Sequence, residues 1–528
     1  MVTKEHIFKN IRVYWLAFIV YWGIVLFGGG VVSAPFFLEQ FGLLNPNGTT
    51  NVAKSNAISS NVVSVLQAGA FFGALWSAPM SARIGRRLTL LVFSVIFVVG
   101  AILTTVAGGG HRGLAEIYAG RVITGFGIGG ISAVSPAFVS ECSPKDVRGR
   151  ITGLFQVFVA FGVMMSYWVN YGIGVHIQPG PKLWRIPFGI QLIPAGIMCF
   201  DLLTVKESPR WLAPVGRTEE AIANLSYLRK EPESSEAVIH EMAEIEAAIQ
   251  EEREARQGLG LHEAFLGKGN FVRFVIAFVI FLLQQWSGQN SVNYYSPQIF
   301  ASIGYTARRN GLLATGIYGV VKLVATCLFV SVGVEWLGRK ASLFISAMGM
   351  GIGFFIIGAI LKTHPPPAKS ANSVVANPSP ASKAMAAMLY IYVCFYSMGW
   401  GPLPWVYCSD IFPTRTRHYG MALASASQWL WNFTLTKTTP DMVTALGYKV
   451  GYLRIILIPR DLQAPDFPYV CHDQHRRDGD VFFGRSLEDM DVIFGSVTQE
   501  QRDAGIAKQE RALDHQHNDE TSDRDEKV

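Results

Sequence analysis

Apolar runs of roughly twenty residues recur along this 528-residue chain, and about 20 apolar residues is the length a helix needs to cross the hydrocarbon core of a bilayer. The runs fall near 13–34, 60–80, 88–107, 116–138, 152–172 and 186–205, then near 272–290, 311–332, 341–361, 384–408 and 420–440. In lipid the backbone must satisfy its own hydrogen bonds, so such runs are helices. A polar stretch over 206–270 separates the two groups. It holds Thr218–Lys230 and Ser235–Gln257, both amphipathic at helical spacing. Only 16% of the residues are charged, against about 25% in soluble proteins. The chain reads as an all-α polytopic membrane protein.

The two groups echo each other. Ala82–Arg87 (ARIGRR) follows the second run, and Glu335–Lys340 (EWLGRK) follows the second run of the later group. A basic turn repeated in register argues for two parallel six-span halves. Short basic loops belong on the cytoplasmic side. That rule puts both turns, Ser140–Arg150 and the polar insert inside. The net charge of +6 is therefore read as loop charge, and no nucleic acid partner is expected. The loop 38–59 carries one lysine, Lys54, and no arginine, so it lies outside. Its Asn47-Gly48-Thr49 is a glycosylation candidate. The six cysteines are scattered, which indicates neither a disulfide framework nor a metal site. No GxSxG, HExxH or P-loop occurs, so neither an enzyme nor a cofactor is expected. Gly125–Gly130 (GFGIGG) lies within an apolar run and reads as close helix packing.

One apolar run is unusually polar. Leu283–Tyr295 reads LQQWSGQNSVNYY. Amides and phenols at membrane depth face a cavity or a partner helix, and together they suit a polyhydroxylated solute. With it go GRVITGFGIGG (Gly120–Gly130), SECSPKDVRGR (Ser140–Arg150), KESPRWL (Lys206–Leu212), GPLPWVYCSDIFPTRTR (Gly401–Arg417) and SQWLWNF (Ser427–Phe433). Over roughly 13–450 these segments resemble the sugar porter family of the major facilitator superfamily, in particular its fungal monosaccharide and quinate carriers.

The resemblance implies a major facilitator fold: a cytoplasmic N-terminus (1–12), a six-span half (13–205), a cytoplasmic helical insert (206–270), a second half (271–450, spans seven to eleven) and a cytoplasmic tail (485–528). It implies transport of a monosaccharide, hexose or pentose, or of quinate by alternating access, with proton symport as the family's mode. The unit would be a monomer in the plasma membrane. Substrate contacts would be Gln156, Gln284, Gln285, Asn290, Tyr294, Trp405 and Gln428, with Tyr295 a gate or packing residue. Arg121, Glu141, Arg148, Glu207 and Arg210 would sit at the inner ends of the first half as an ion-pair latch. Glu335, Arg339, Asp410 and Arg417 would be the counterparts in the second half. Arg86, Arg87 and Lys340 read equally as latch partners or as solvated loop charges.

The chain departs from the family twice. No Asp or Glu occurs between Arg12 and Leu38, where proton-coupled members carry their proton-site Asp. The twelfth span is replaced over 451–484 by a segment whose only apolar core is Arg454–Pro459, far too short to cross. Shifting the reading frame by one base, with suitable codons over 470–482, restores an apolar stretch, so the segment reads as a frame error or retained intron. Uniport, a sugar-sensing receptor and a transport-defective binding form are the alternatives to symport.

Overall fold

The computed structural model describes residues 10–22, 52–108, 110–144, 147–178, 180–255, 270–305, 308–333, 339–365, 378–412 and 416–446, and among these no strand occurs. The first half holds α1 (Ile11–Trp22), α2 (Val52–Ile84), α3 (Arg86–Val106), α4 (Gly110–Cys142), α5 (Arg148–His176), α6 (Lys182–Gly189) and α7 (Leu192–Asp201). The insert holds α8 (Pro209–Leu212), α9 (Thr218–Arg229) and α10 (Glu236–Ala255). The second half holds α11 (Asn270–Trp286), α12 (Gln289–Ser302), α13 (Arg308–Leu328), α14 (Arg339–Thr363), α15 (Pro380–Ser397), α16 (Leu403–Ile411) and α17 (Arg417–Leu446). Eight helical stretches among the described residues are long and apolar enough to cross a membrane. Each of the expected runs falls on a helix, the first as far as Trp22. Several helices outrun their apolar core: α2 starts at Val52 and α17 continues to Leu446. Some of the polar residues there are buried within protein, Ser59 and Ser60 in α2 and Thr439 in α17, which hydropathy does not register.

Glycines bring α2 and α4 into backbone contact. A Cβ on Gly73 would stand 2.0 Å from the Phe126 carbonyl oxygen, and one on Gly129 would stand 2.0 Å from that of Ala70. Small residues permit such approach in membranes, where apolar surface alone does not drive helices together. The GFGIGG segment is this packing seam. Trp76, on the flank of this seam, is 63% exposed. The halves meet where α2 packs on α17 and α5 on α13.

Three spans are broken rather than continuous. The chain turns between α6 and α7, between α11 and α12, and over Met398–Pro402 between α15 and α16. At the second break Gly288 has φ +88°, a left-handed conformation that glycine adopts without steric penalty. Irregular backbone at membrane depth is tolerated where it lines a cavity or lies within protein, and the second and third breaks adjoin each other through Gln284, which bonds the carbonyls of Trp400 and Gly401.

The insert has its own small core, including Leu212, Leu225, Val238 and Met242. Hydrogen bonds tie it to the first half: Arg229 Nη1 donates to the Cys142 carbonyl at 3.0 Å, Ser208 Oγ to the Glu141 carboxylate at 2.7 Å, and Arg12 Nη1 to the Tyr227 carbonyl at 2.5 Å. Arg229 also clamps Glu241, with N–O distances of 2.6 and 2.7 Å. Burial alone would raise the Glu241 carboxyl; the adjacent Arg229 guanidinium outweighs it and holds that carboxyl below its usual range.

The expectations placed on 23–51, including Asn47 and the missing proton site, lie outside the described residues. So do Glu335, the side chains of Arg339, Lys340 and Asp410, the segment 451–484 and the tail.

Candidate functional site

Between the halves lies a cavity with about 770 Å³ of empty space, counting the part open to solvent. From the first half, α4 contributes Ser132 and α5 contributes Phe155, Gln156 and Tyr167. From the second, α11 gives Gln284, α12 gives Asn290, Asn293 and Tyr294, and α13 gives Lys322. Tyr396 comes from α15, Trp405 from α16, and Gln428, Trp429 and Asn432 from α17. Six of the seven expected contacts line it: Gln156, Gln284, Asn290, Tyr294, Trp405 and Gln428.

The seventh, Gln285, stands behind the wall at 2% exposure and joins the others through hydrogen bonds. Its Nε2 donates to Gln284 Oε1 at 3.5 Å, and its Oε1 accepts from Asn290 Nδ2 at 2.6 Å. Asn290 Oδ1 in turn accepts from Asn293 Nδ2 at 3.2 Å. Asn293 Oδ1 accepts from Gln289 Nε2 at 3.0 Å and from Lys322 Nζ at 3.4 Å. At the other end Gln284 Nε2 donates to the carbonyls of Trp400 and Gly401 at 2.7 and 3.2 Å. One chain of amides thus runs from the lysine on α13 to the break between α15 and α16.

The remaining walls mix apolar faces with open acceptors. The Trp405 ring lies 4.6 Å from that of Phe155 and 4.8 Å from that of Phe281, centre to centre. Trp429 Nε1 donates to Ser132 Oγ at 2.9 Å, and Tyr167 donates its hydroxyl to the Asn293 carbonyl at 2.7 Å. Both bonds cross between the halves. Gln428 Oε1 and Asn432 Oδ1 have no hydrogen-bond partner among the described residues. A buried acceptor left open is costly, and a hydroxylated solute would satisfy it. Tyr295, expected as a gate or packing residue, is 3% exposed and donates to the Thr436 carbonyl at 2.9 Å. Sequence reading missed Lys322, Asn293 and Tyr396. The first had a signal, a lone lysine between Val321 and Leu323 in an apolar run.

The charged motifs gather at the end of the first half that carries the insert. Glu141 receives Arg86 through both Nε and Nη2, at 3.1 and 3.0 Å, and Ser208 Oγ at 2.7 Å. Arg210 Nε donates to the Glu141 carbonyl at 3.3 Å, and Arg148 Nη2 to that of Ser143 at 3.2 Å. Arg417, from the second half, lies close enough to act electrostatically on Glu141. Arg86, at 4% exposure, is therefore a buried ion-pair partner and not a solvated loop charge. Arg87 donates to the carbonyls of Leu202 and Leu203, both at 2.8 Å. Glu207 caps the start of α3, accepting from the backbone N–H of Arg86 and Arg87 at 3.1 Å each. Burial pushes its carboxyl up from the usual value.

Arg121 is not among them, which corrects its expected inner position. It precedes Glu141 by 141 − 121 = 20 residues on one helix, roughly 30 Å at 1.5 Å per residue. Its guanidinium lies 4.6 Å over the Phe188 ring and within electrostatic reach of Tyr294, on the other side of the cavity. Among the described residues no group of three His, Cys, Asp or Glu side chains could hold a metal.

A profile of the sugar (and other) transporter family matches residues 14–458. The chain is 38% identical over 453 residues to the quinate permease of Neurospora terricola, covering 84% of this chain and 83% of that one. It is 36% identical over 455 residues to a probable quinate permease of Aspergillus clavatus, covering 84% and 82%. Among solved structures it is similar to the major facilitator proton:xylose symporter XylE bound to 6-bromo-6-deoxy-D-glucose. The TM-score is 0.74 at 25% identity, with 93% of this chain and 100% of that one covered.

Proposed function

Because this chain belongs to the sugar (and other) transporter family, a family of membrane carriers and not of enzymes, we propose that it carries a monosaccharide or quinate across the plasma membrane by alternating access. The observation that carries this reading is the cavity. Gln156 comes from the first half, and Gln284, Asn290, Tyr294, Trp405 and Gln428 come from the second. A solute held between the halves is exposed to each side in turn as they rock. Amides and hydroxyls grip its hydroxyl groups, and the tryptophans give its ring an apolar face. Gln285 holds Gln284 and Asn290 in place rather than touching the solute. The cluster around Glu141, with Arg417 opposite, is the inner latch that closes that side.

The relatives' name favours quinate, and the xylose symporter favours a pentose with proton coupling. Proton symport is the family's mode; the lack of a carboxylate between Arg12 and Leu38 favours uniport for this chain. The test is uptake of labelled quinate, xylose and glucose by cells lacking their own carriers, with and without a protonophore. Saturable uptake of at least one is expected. Solute binding without counterflow would overturn transport in favour of a sensor or a binding form. Neither binding nor uptake would overturn the reading of the cavity.

A further inference from the structure

Lys322 is a part of the cavity that a neutral sugar does not require. It is 1% exposed, in an α13 whose other residues from Leu312 to Leu328 carry no charge. Among the described residues its Nζ has one hydrogen bond, to Asn293 Oδ1 at 3.4 Å, and it lies 5.8 Å from the centre of the Tyr396 ring. No carboxylate lies within ion-pair distance among the described residues, and no Asp or Glu lines the cavity. An ammonium has three donors, so the Asn293 bond leaves two for a ligand.

A buried ammonium with no counter-charge is strongly disfavoured. A carboxylate on the solute would supply the missing counter-charge. The hydroxyls of a neutral sugar offer lone pairs but no charge, whereas a carboxylate offers both and makes the stronger, charge-assisted bond. The amide chain adds direction. Asn293 is held by Gln289 and Asn290, so the lysine head is fixed beside the residues that would bind hydroxyls. Gln156 and Gln428 remain for the far side of a ring.

We propose that Lys322 binds the carboxylate of the solute, and that this carrier selects a cyclic polyol bearing one carboxylate over a neutral monosaccharide. The proposal rests on the cavity being the solute site. Quinate meets it, and so does a hexuronate, which places the same group on a different ring.

The test uses the full chain in detergent and in proteoliposomes. Binding of quinate, galacturonate, inositol, glucose and xylose is read by tryptophan fluorescence, since Trp405 and Trp429 line the cavity. Quinate or galacturonate is expected to bind about 100-fold more tightly than the neutral solutes. Lys322→Gln is expected to remove that advantage, weakening the acids far more than the neutral solutes, and Lys322→Arg to retain most of it. A wild-type chain that prefers a neutral sugar would overturn the proposal and leave the carrier reading standing. Equal loss for acid and neutral solutes in Lys322→Gln would also overturn it, marking the lysine as structural. If Lys322→Gln does not fold, the wild-type preference and Lys322→Arg decide. Absence of binding by any solute would sink the cavity reading together with the proposal.

Discussion

Gln285 shows how a residue outside the cavity wall can control it. Its amide holds Gln284 on one side and Asn290 on the other. Gln285→Ala removes both bonds at once, and the loss of a net bond is worth about 1 kcal/mol. The half-saturating solute concentration is expected to rise about tenfold at unchanged protein level; unchanged uptake kinetics would count against the assignment. The residues along Leu283–Tyr295 were legible because lipid offers an amide no hydrogen bond, so a cluster of amides in an apolar run has to face inward. Lys322 was as visible as they are, but it lies outside the motif that carries the family resemblance. Tyr396 was not legible, since aromatics pack in many helices and only convergence in space singles it out. Arg121 shows the opposite error. Its motif stands next to the charged loop motifs in sequence, but a long helix carries it to the other side of the cavity.

At the scale of the helix, the α2–α4 seam is the least forgiving contact described. Gly129→Leu would drive a side chain into the Ala70 carbonyl, and overpacking of this kind destabilises by about 1–3 kcal/mol or more. A lower melting temperature of the purified protein is expected, whereas Gly172→Ala, with open space around it, is expected to be neutral or slightly stabilising. An equal effect of the two would contradict the close approach. The breaks were harder to read than the helices. The turn at Met398–Pro402 lies inside a run that hydropathy presents as one span, though Gly399, Gly401 and Pro402 marked it. In the insert, amphipathic spacing announced α9 and α10, but not the clamp between Arg229 and Glu241. Because Arg229 depresses the Glu241 carboxyl, that clamp is fully present above the ordinary carboxylate value and is lost as pH falls through the depressed one. Hydrogen exchange across Thr218–Ala255, corrected for intrinsic rate, is expected to rise between about pH 5 and about pH 3. Flat protection over that range would mean the clamp does not hold the insert.

For the whole molecule, the two-half plan was readable because a basic turn recurs in register, and the cavity follows from that plan. How the plan closes at its C-terminal end depends on 451–484. Sequencing of spliced transcript across this segment is expected to restore an apolar span; a transcript encoding this same peptide would end the frame-error reading. The insert gives the molecule a further property. Its bonds to Cys142, Glu141 and Arg12 all lead to the first half, so it turns as that half turns. It would serve as a ready-made pointer. A fluorophore at Glu233, paired with one at Ala341 in a cysteine-free background, would form an optical ruler between the halves. Glu141→Gln, which weakens the inner latch, is expected to lengthen that ruler by several ångström; an unchanged length would show that the latch does not hold the halves together. An insert that carries no part of the cavity would then report each stroke of the carrier as light.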